Sequence, residues 1–148
     1  MAEDCIFCKI KAGGMQTNLL YHDSKCFVIL DMFPSQRGHM LVITKEHHVN
    51  LLDTPYALSS HLLKISKRFA KKAKEKLSAS AVKIVVNIGR DADQLIDHTH
   101  MHVIPFYPKN AKHRTPHERM EEKEATELMN LLSEVSNARA FQTRSLGT

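Results

Sequence analysis

Residues 98–102 read His-Thr-His-Met-His, and the run continues as Val103-Ile104-Pro105-Phe106. Alternation at every second position suits an extended strand, where successive side chains take opposite faces. It does not suit a helix, where positions two apart lie on different sides. The segment is therefore expected to be a β-strand that ends near the proline. His98, His100 and His102 would stand in one row, with Thr99 and Met101 facing the other way. Three imidazoles then line one surface of whatever sheet the chain forms.

The rest of the chain alternates short strands with helices. Asp4 is placed to cap a short helix over Cys5–Ala12 that stops at Gly13-Gly14. Asn18–His22, Lys25–Met32 and His39–Thr44 read as three strands of an antiparallel meander. Leu58, Leu62, Ile65, Phe69, Ala73 and Leu77 recur every three or four positions, which predicts an amphipathic helix over about 56–77. Ala81–Ile88, dense in valine and isoleucine, reads as a core strand, followed by a turn at Gly89–Asp93. A last helix is expected over about 115–138, after Thr115-Pro116, with Leu128, Leu131, Leu132 and Val135 as its apolar stripe. The expected class is α+β, an antiparallel sheet of about five strands with packed helices, in one domain over 1–148.

Composition excludes several function classes. With 148 residues, 43% of them hydrophobic and 25% charged, the chain can bury a full core. No run of 18 apolar residues predicts a membrane span, and the acidic start MAEDCIFC lacks the build of a signal peptide. A cytoplasmic protein is expected, with the nucleus as the other compartment. Three cysteines without an export signal argue for free thiols or a metal site rather than disulfides. The net charge of +5 sits largely on Lys64, Lys67, Arg68, Lys71, Lys72, Lys74 and Lys76, the outer face of the long helix. That placement describes a solvated surface, and nucleic acid is not expected as a partner.

A histidine row serves as nucleophile, acid, base or metal ligand. A metal cage from the three rings alone is unnatural, because the first and last start about 13 Å apart on an extended strand. The middle ring is better placed as a nucleophile flanked by helpers, in phosphoryl or nucleotidyl transfer. Separately, Cys5 and Cys8 form a C-x-x-C pair. The context is not the strand-led setting of a redox motif, and zinc would need two further ligands. Buried thiols in a short helix are the other reading. Cys26, inside an apolar strand, is expected in the core.

The His-x-His-x-His-apolar-apolar run resembles the signature of the histidine triad superfamily. Three further blocks, CIFCKI, ILDMFPSQRGHMLVITKEHH and VVNIG, resemble its nucleotide-binding (Hint) branch in order and spacing across residues 5–107. The resemblance implies that His100 attacks the α-phosphate of a purine nucleotide and forms a nucleotidyl-histidine that water hydrolyses. It implies that His102 contacts the phosphate and helps the departing group, that His98 orients its neighbours, and that His39 is a fourth histidine near the α-phosphate. Asp31, with Met32 beside it, falls where the family anchors the ribose hydroxyls, and Asn87 where it places an amide near phosphate and ribose. Ile6, Phe7, Ile10 and Ile29 match the apolar wall for the purine. In the 93–95 loop, Asp93 replaces a usual glycine and Leu95 a frequent hydroxyl, with Gln94 between them. Metal-binding members complete a structural zinc site from Cys5, Cys8, His47 and His98.

The activity so implied is hydrolysis of purine nucleoside phosphoramidates or adenylates. The alternatives are cleavage of dinucleoside polyphosphates and a nucleotide-binding module with little turnover. Members of the family pair as homodimers, and the 56–77 helix with the 81–88 strand is the implied surface.

Overall fold

A computed structural model describes residues 4–111 and 114–135 of the chain. A short helix, α1 (Ile6–Lys11), leads into a meander of β1 (Leu19–His22), β2 (Cys26–Leu30) and β3 (Met40–Thr44). The long helix α2 (Tyr56–Leu77) follows, then β4 (Ala81–Val85), β5 (His100–Phe106) and α3 (Glu122–Leu132). The five strands form one antiparallel sheet in the order β1-β2-β3-β5-β4, so the last strand lies between two earlier ones. The class expected from the sequence, α+β with an antiparallel sheet and packed helices, is the one observed.

Strand alternation divides the sheet into two faces. Cys26, Val28 and Leu30 of β2, Met40 and Val42 of β3, and Met101 and Val103 of β5 join one core cluster with residues of α2 and α3. Phe27, Ile29, Leu41 and Ile43 point the other way, into a second cluster with Cys5, Phe7 and Ile10 around α1. His100 and His102 of β5 pair with Ile43 and Leu41 of β3, on this second face. One strand thus serves the main core with its odd residues and the histidine face with its even ones.

Four details depart from the expected elements. Cys5, not Asp4, is the N-cap of α1, and no side chain caps that helix. β5 starts at His100, which leaves His98 in the bend before it. β4 is an edge strand with a largely exposed surface rather than a core strand, and Ile84 keeps 37% of its surface. Its β-branched residues mark a face that wants apolar cover without naming the source of the cover. Finally, α3 starts at Glu122, well after Pro116, because His117 takes a left-handed φ of 63° and Arg114 bonds the carbonyls of Thr115 and Glu118. Of its expected span, residues 136–138 lie outside the described part.

α2 buries Leu62, Ile65, Phe69 and Ala73 as the periodicity predicts. Lys72 leaves the solvated face to donate to Leu132 O at 2.8 Å and to pair with Glu134 at 3.2 Å, where a cation suits the C-terminal end of α3. No helix among the described residues is long and apolar enough to cross a membrane.

The β1–β2 turn is tied to α2 by Asp23. Its Oδ1 accepts from the backbone N–H groups of Lys25 (2.7 Å) and Cys26 (2.9 Å), and its Oδ2 from Tyr21 (2.8 Å) and His61 (2.6 Å). Burial alone would push the carboxyl up, but these donors together hold it well below the ordinary carboxylate range. A folded pKa below the unfolded one contributes stability above the ordinary carboxylate pKa, and that stability is lost as the pH falls toward the folded value. Asp23→Ala is expected to cost about 2–3 kcal/mol at neutral pH, since four donors lose their acceptor, and to flatten the acid limb of the stability curve. Denaturant melts between neutral and acid pH check this; equal stability of variant and wild type at pH 7 would refute it.

Candidate functional site

Three elements converge on the second face. Cys5 and Cys8 stand one helical turn apart at α1, so both thiols face the sheet. His47 follows β3, and His98 precedes β5. His98 Nδ1 lies 3.3 Å from Cys5 Sγ, 3.6 Å from Cys8 Sγ and 3.1 Å from His47 Nδ1, and Cys8 Sγ lies 3.3 Å from His47 Nδ1. All four ligand atoms fall within 4.8 Å of one another. Donors bound tetrahedrally to zinc are separated by about 3.3–3.8 Å, given its usual bond lengths to sulfur and nitrogen.

The second nitrogen of His98 decides which atom faces the cluster. Nε2 lies 2.7 Å from Thr44 O, and a carbonyl only accepts, so Nε2 carries the hydrogen and Nδ1 keeps its lone pair. A ring oriented by a carbonyl behind it is the usual support for a metal-binding histidine. Burial first, then the neighbouring histidines, push His98 down to about 4, so it stays neutral. Burial and the neighbouring Cys5 push the Cys8 thiol up to about 11, the state of two thiols crowded together without a cation. The donor set, its spacing and the tautomer all fit zinc.

The remaining histidines form a second chain of contacts. His100 Nδ1 lies 2.6 Å from His98 O, so it donates there and leaves Nε2 as a free base. The ring is buried, which lowers its pKa and keeps it neutral. His102 sits beside it with ring centroids 5.0 Å apart, and Phe7 packs edge-on against both His100 (5.1 Å) and His98 (5.6 Å). On the far side, Ser35 N–H donates to His39 Nδ1 at 3.1 Å. His39 therefore carries its hydrogen on Nε2, which lies 2.9 Å from His102 Nδ1. It donates to that atom, so His102 in turn carries its hydrogen on Nε2. Burial, then His100 and His39, push His102 down to about 4.

Asp31 follows β2, with Oδ1 accepting from Phe33 N–H at 2.9 Å and Oδ2 lying 3.6 Å from His39 Nε2. Gly38 shapes the turn into β3 at a left-handed φ of 82°, which glycine takes without the strain a side chain would bring before His39.

Other expected site residues fall less directly. Phe7, Ile10 and Ile29 are buried in the core cluster of this face, while Ile6 keeps 38% of its surface. Met32 packs against the main core. Asn87 Nδ2 donates to Asp93 O at 3.3 Å, which closes the 87–95 loop. The Gln94 side chain braces the loop: its amide accepts from Gly89 N–H (2.8 Å) and donates to Val49 O (2.7 Å) and Ile96 O (3.1 Å). Asp93 takes a left-handed φ of 68°, and Leu95 is 73% exposed. Ser35 and Thr44 act here through backbone and hydroxyl alike, with Ser35 Oγ 3.2 Å from His39 Nδ1 and Thr44 Oγ1 3.1 Å from His98 Nε2, and the sequence carries no signal for the backbone part.

Comparison with known proteins bears on this geometry. A family model described as HIT domain matches residues 13–109. An uncharacterized HIT-like protein of Mycobacterium tuberculosis is 41% identical over 106 residues, 72% of each chain. The adenylylsulfatase HINT3 of Arabidopsis thaliana is 38% identical over 109 residues, 71% of this chain and 53% of its own length. The crystal structure of a zinc-bound histidine triad family protein from Mycobacterium smegmatis superposes with a TM-score of 0.76 at 33% identity, covering 89% of this chain and 95% of that one. A domain match over most of the sequence, on a sheet that carries His100 and His102 in register with His98 just before the strand, places the chain in the HIT family.

Proposed function

We propose that the protein hydrolyses purine nucleoside phosphoramidates or adenylates through a nucleotidyl-histidine intermediate. The observation that carries this reading is the orientation of His100: a neutral ring whose Nδ1–H is held by His98 O, leaving Nε2 with a lone pair. Nε2 attacks the α-phosphorus, the P–N(His100) bond forms, and the bond to the leaving group breaks with its electron pair departing. The positive charge that develops on the His100 ring is met by the His98 carbonyl. His102, with its hydrogen on Nε2, donates to the phosphoryl group or the leaving group. Water then cleaves the P–N bond and releases the nucleoside monophosphate. The leaving group takes its proton from solvent in the first step, and the attacking water releases one to solvent in the second, so His100 and His102 end as they began.

Asp31 anchors the ribose hydroxyls in this reading, and Ile6 and the surface it borders take the purine. The adenylylsulfatase relative, whose name specifies an adenylyl substrate, supports an AMP-type nucleotide. Cys5, Cys8, His47 and His98 hold a structural zinc that rigidifies the approach to β5. The deciding experiment is a screen of AMP-linked substrates with wild type and His100→Ala; nucleotide affinity without any turnover would leave a binding module instead.

The 93–95 loop tunes phosphate affinity. Exposed Leu95 offers no hydrogen, and Asp93 adds negative charge to the same turn. Leu95→Ser or Asp93→Gly is expected to tighten AMP binding by about 0.5–1.5 kcal/mol, the net worth of one hydrogen bond. Calorimetry showing both variants no better than wild type would sink this inference.

The exposed edge at β4 suits pairing with a second copy across a two-fold axis. Light scattering is expected to report twice the 16.9 kDa chain mass at micromolar concentration, and a monomer would contradict the pairing.

A further inference from the structure

His98 serves both clusters of the second face at once. Its ring nitrogen Nδ1 meets the thiols of Cys5 at 3.3 Å and Cys8 at 3.6 Å, while its backbone carbonyl accepts from His100 Nδ1 at 2.6 Å. A change at the two cysteines is therefore felt within one residue at the hydrogen bond that orients His100.

The two thiols are placed for more than coordination. Cys5 is the N-cap of α1, with an extended backbone at φ −81° and ψ 121°, and Cys8 is the third residue of the helix. An N-cap side chain reaches back toward that third residue, as it does in a capping box. Three residues along a helix separate Cα atoms by about 5 Å, inside the range of about 4.4–6.8 Å that a disulfide spans. The two sulfurs fall within 4.8 Å of each other.

Both sulfurs are within reach of a small reagent. Cys8 is half-buried, and a cavity of about 300 Å³ lined by Cys5, Arg90, Ile96 and Asp97 opens beside the more buried Cys5. Cys26, in contrast, is sealed in the main core with none of its surface exposed.

We propose that Cys5 and Cys8 are a modification site, at which a peroxide converts the zinc-holding pair into a disulfide, empties the metal site and loosens His98 and, through it, His100. The inference rests on the structural-zinc reading above. Its reagent is hydrogen peroxide or an organic hydroperoxide. A metal-held cysteine is a thiolate, the reactive form of the side chain. The Cys8 sulfur, the more exposed of the two, attacks a peroxide oxygen; the O–O bond breaks, the departing oxygen takes a proton from solvent, and a sulfenic acid remains. The Cys5 sulfur then attacks the Cys8 sulfur, and the S–O bond breaks as hydroxide leaves with a second solvent proton. Two thiolates lose two electrons, and the peroxide gains them with two protons. Two histidine nitrogens are too few for a four-coordinate site, so the site no longer holds the ion and the His98 ring loses what fixed it.

The test treats zinc-loaded protein with stoichiometric hydrogen peroxide. It follows zinc release with a chromogenic chelator, free thiols after denaturation, and the linked peptides by mass spectrometry. Zinc is expected to leave in step with the loss of two of the three thiols, through a link between Cys5 and Cys8. A thiol reductant with added zinc is expected to restore thiols, metal and turnover together. Cys26→Ser, which leaves the pair intact, is expected to release zinc at the wild-type rate. Zinc loss with sulfinic acids that the reductant does not reverse overturns the proposal, as does a disulfide that includes Cys26. Unchanged turnover after zinc release overturns it too, since His98 is then no link between the clusters. Protein that purifies without zinc fails the zinc reading and takes this one with it; zinc-loaded protein that keeps its metal and thiols under peroxide fails this one alone.

Discussion

His100→Ala is expected to lower turnover of an adenylate by several orders of magnitude while nucleotide affinity stays within about tenfold of wild type. The asymmetry follows from where each contact lies. In the proposed reading Asp31 and the surface near Ile6 hold the nucleoside, and the His100 ring meets the phosphorus. Only bond formation at phosphorus needs Nε2. His100→Gln is expected to fail equally, because a side-chain amide fills the space and bonds His98 O without offering a nucleophilic lone pair. Rapid quenching of wild type with labelled substrate is expected to trap a nucleotide on the protein, and neither variant is expected to trap one. Retained turnover in His100→Ala would remove the covalent mechanism.

Removing the metal is expected to have the largest effect on stability. Purified protein is expected to carry close to one zinc per chain, and chelation or Cys5→Ser is expected to cost about 3–5 kcal/mol, because metal binding adds to folding free energy. At this chain length that is a fall of about 6–20 °C in Tm. The four ligands come from α1, the segment after β3 and the segment before β5, so losing the ion frees three elements from one another. Cys26→Ser is the control: its thiol lies in the other core cluster and is expected to leave the zinc content unchanged. A metal-free protein with the same Tm before and after chelation would strike zinc from the account.

Much of this molecule could be read from residue order because period and punctuation agreed. The buried residues of α2 recur at helical spacing, and β2 and β3 carry alternating sets that serve two opposite cores. The His-x-His-x-His alternation placed His100 and His102 on one face of β5. Reading failed where the determinant was a backbone atom or a distant neighbour. Nothing in the residue at 35 or 44 says that its main chain will orient His39 or His98. The apolar density of Ala81–Val85 signalled a strand but not its position at the sheet edge. Pro116 suggested a helix start, yet the tertiary bonds of Arg114 held the following residues out of helix until Glu122. Nor did the residue at 94 announce that its side chain would bond Gly89 and Val49 and hold its loop together from inside.

The insertion of β5 between β3 and β4 also orders events in time. Because His100 and His102 belong to the last strand made and His98 immediately precedes it, a ribosome that has delivered α1, the meander, α2 and β4 has produced a sheet with a gap in it and only three of the four clustered donors. The closing strand must pair on both sides at once, with β3 and β4, and its contacts with β3 span far more of the chain than those within the meander. The histidine row and the fourth donor therefore arrive together, with the strand that closes the sheet and before α3. A nascent chain stalled before residue 98 has neither the histidine row nor the fourth donor, and a chain that presents them carries the strand that finishes its sheet.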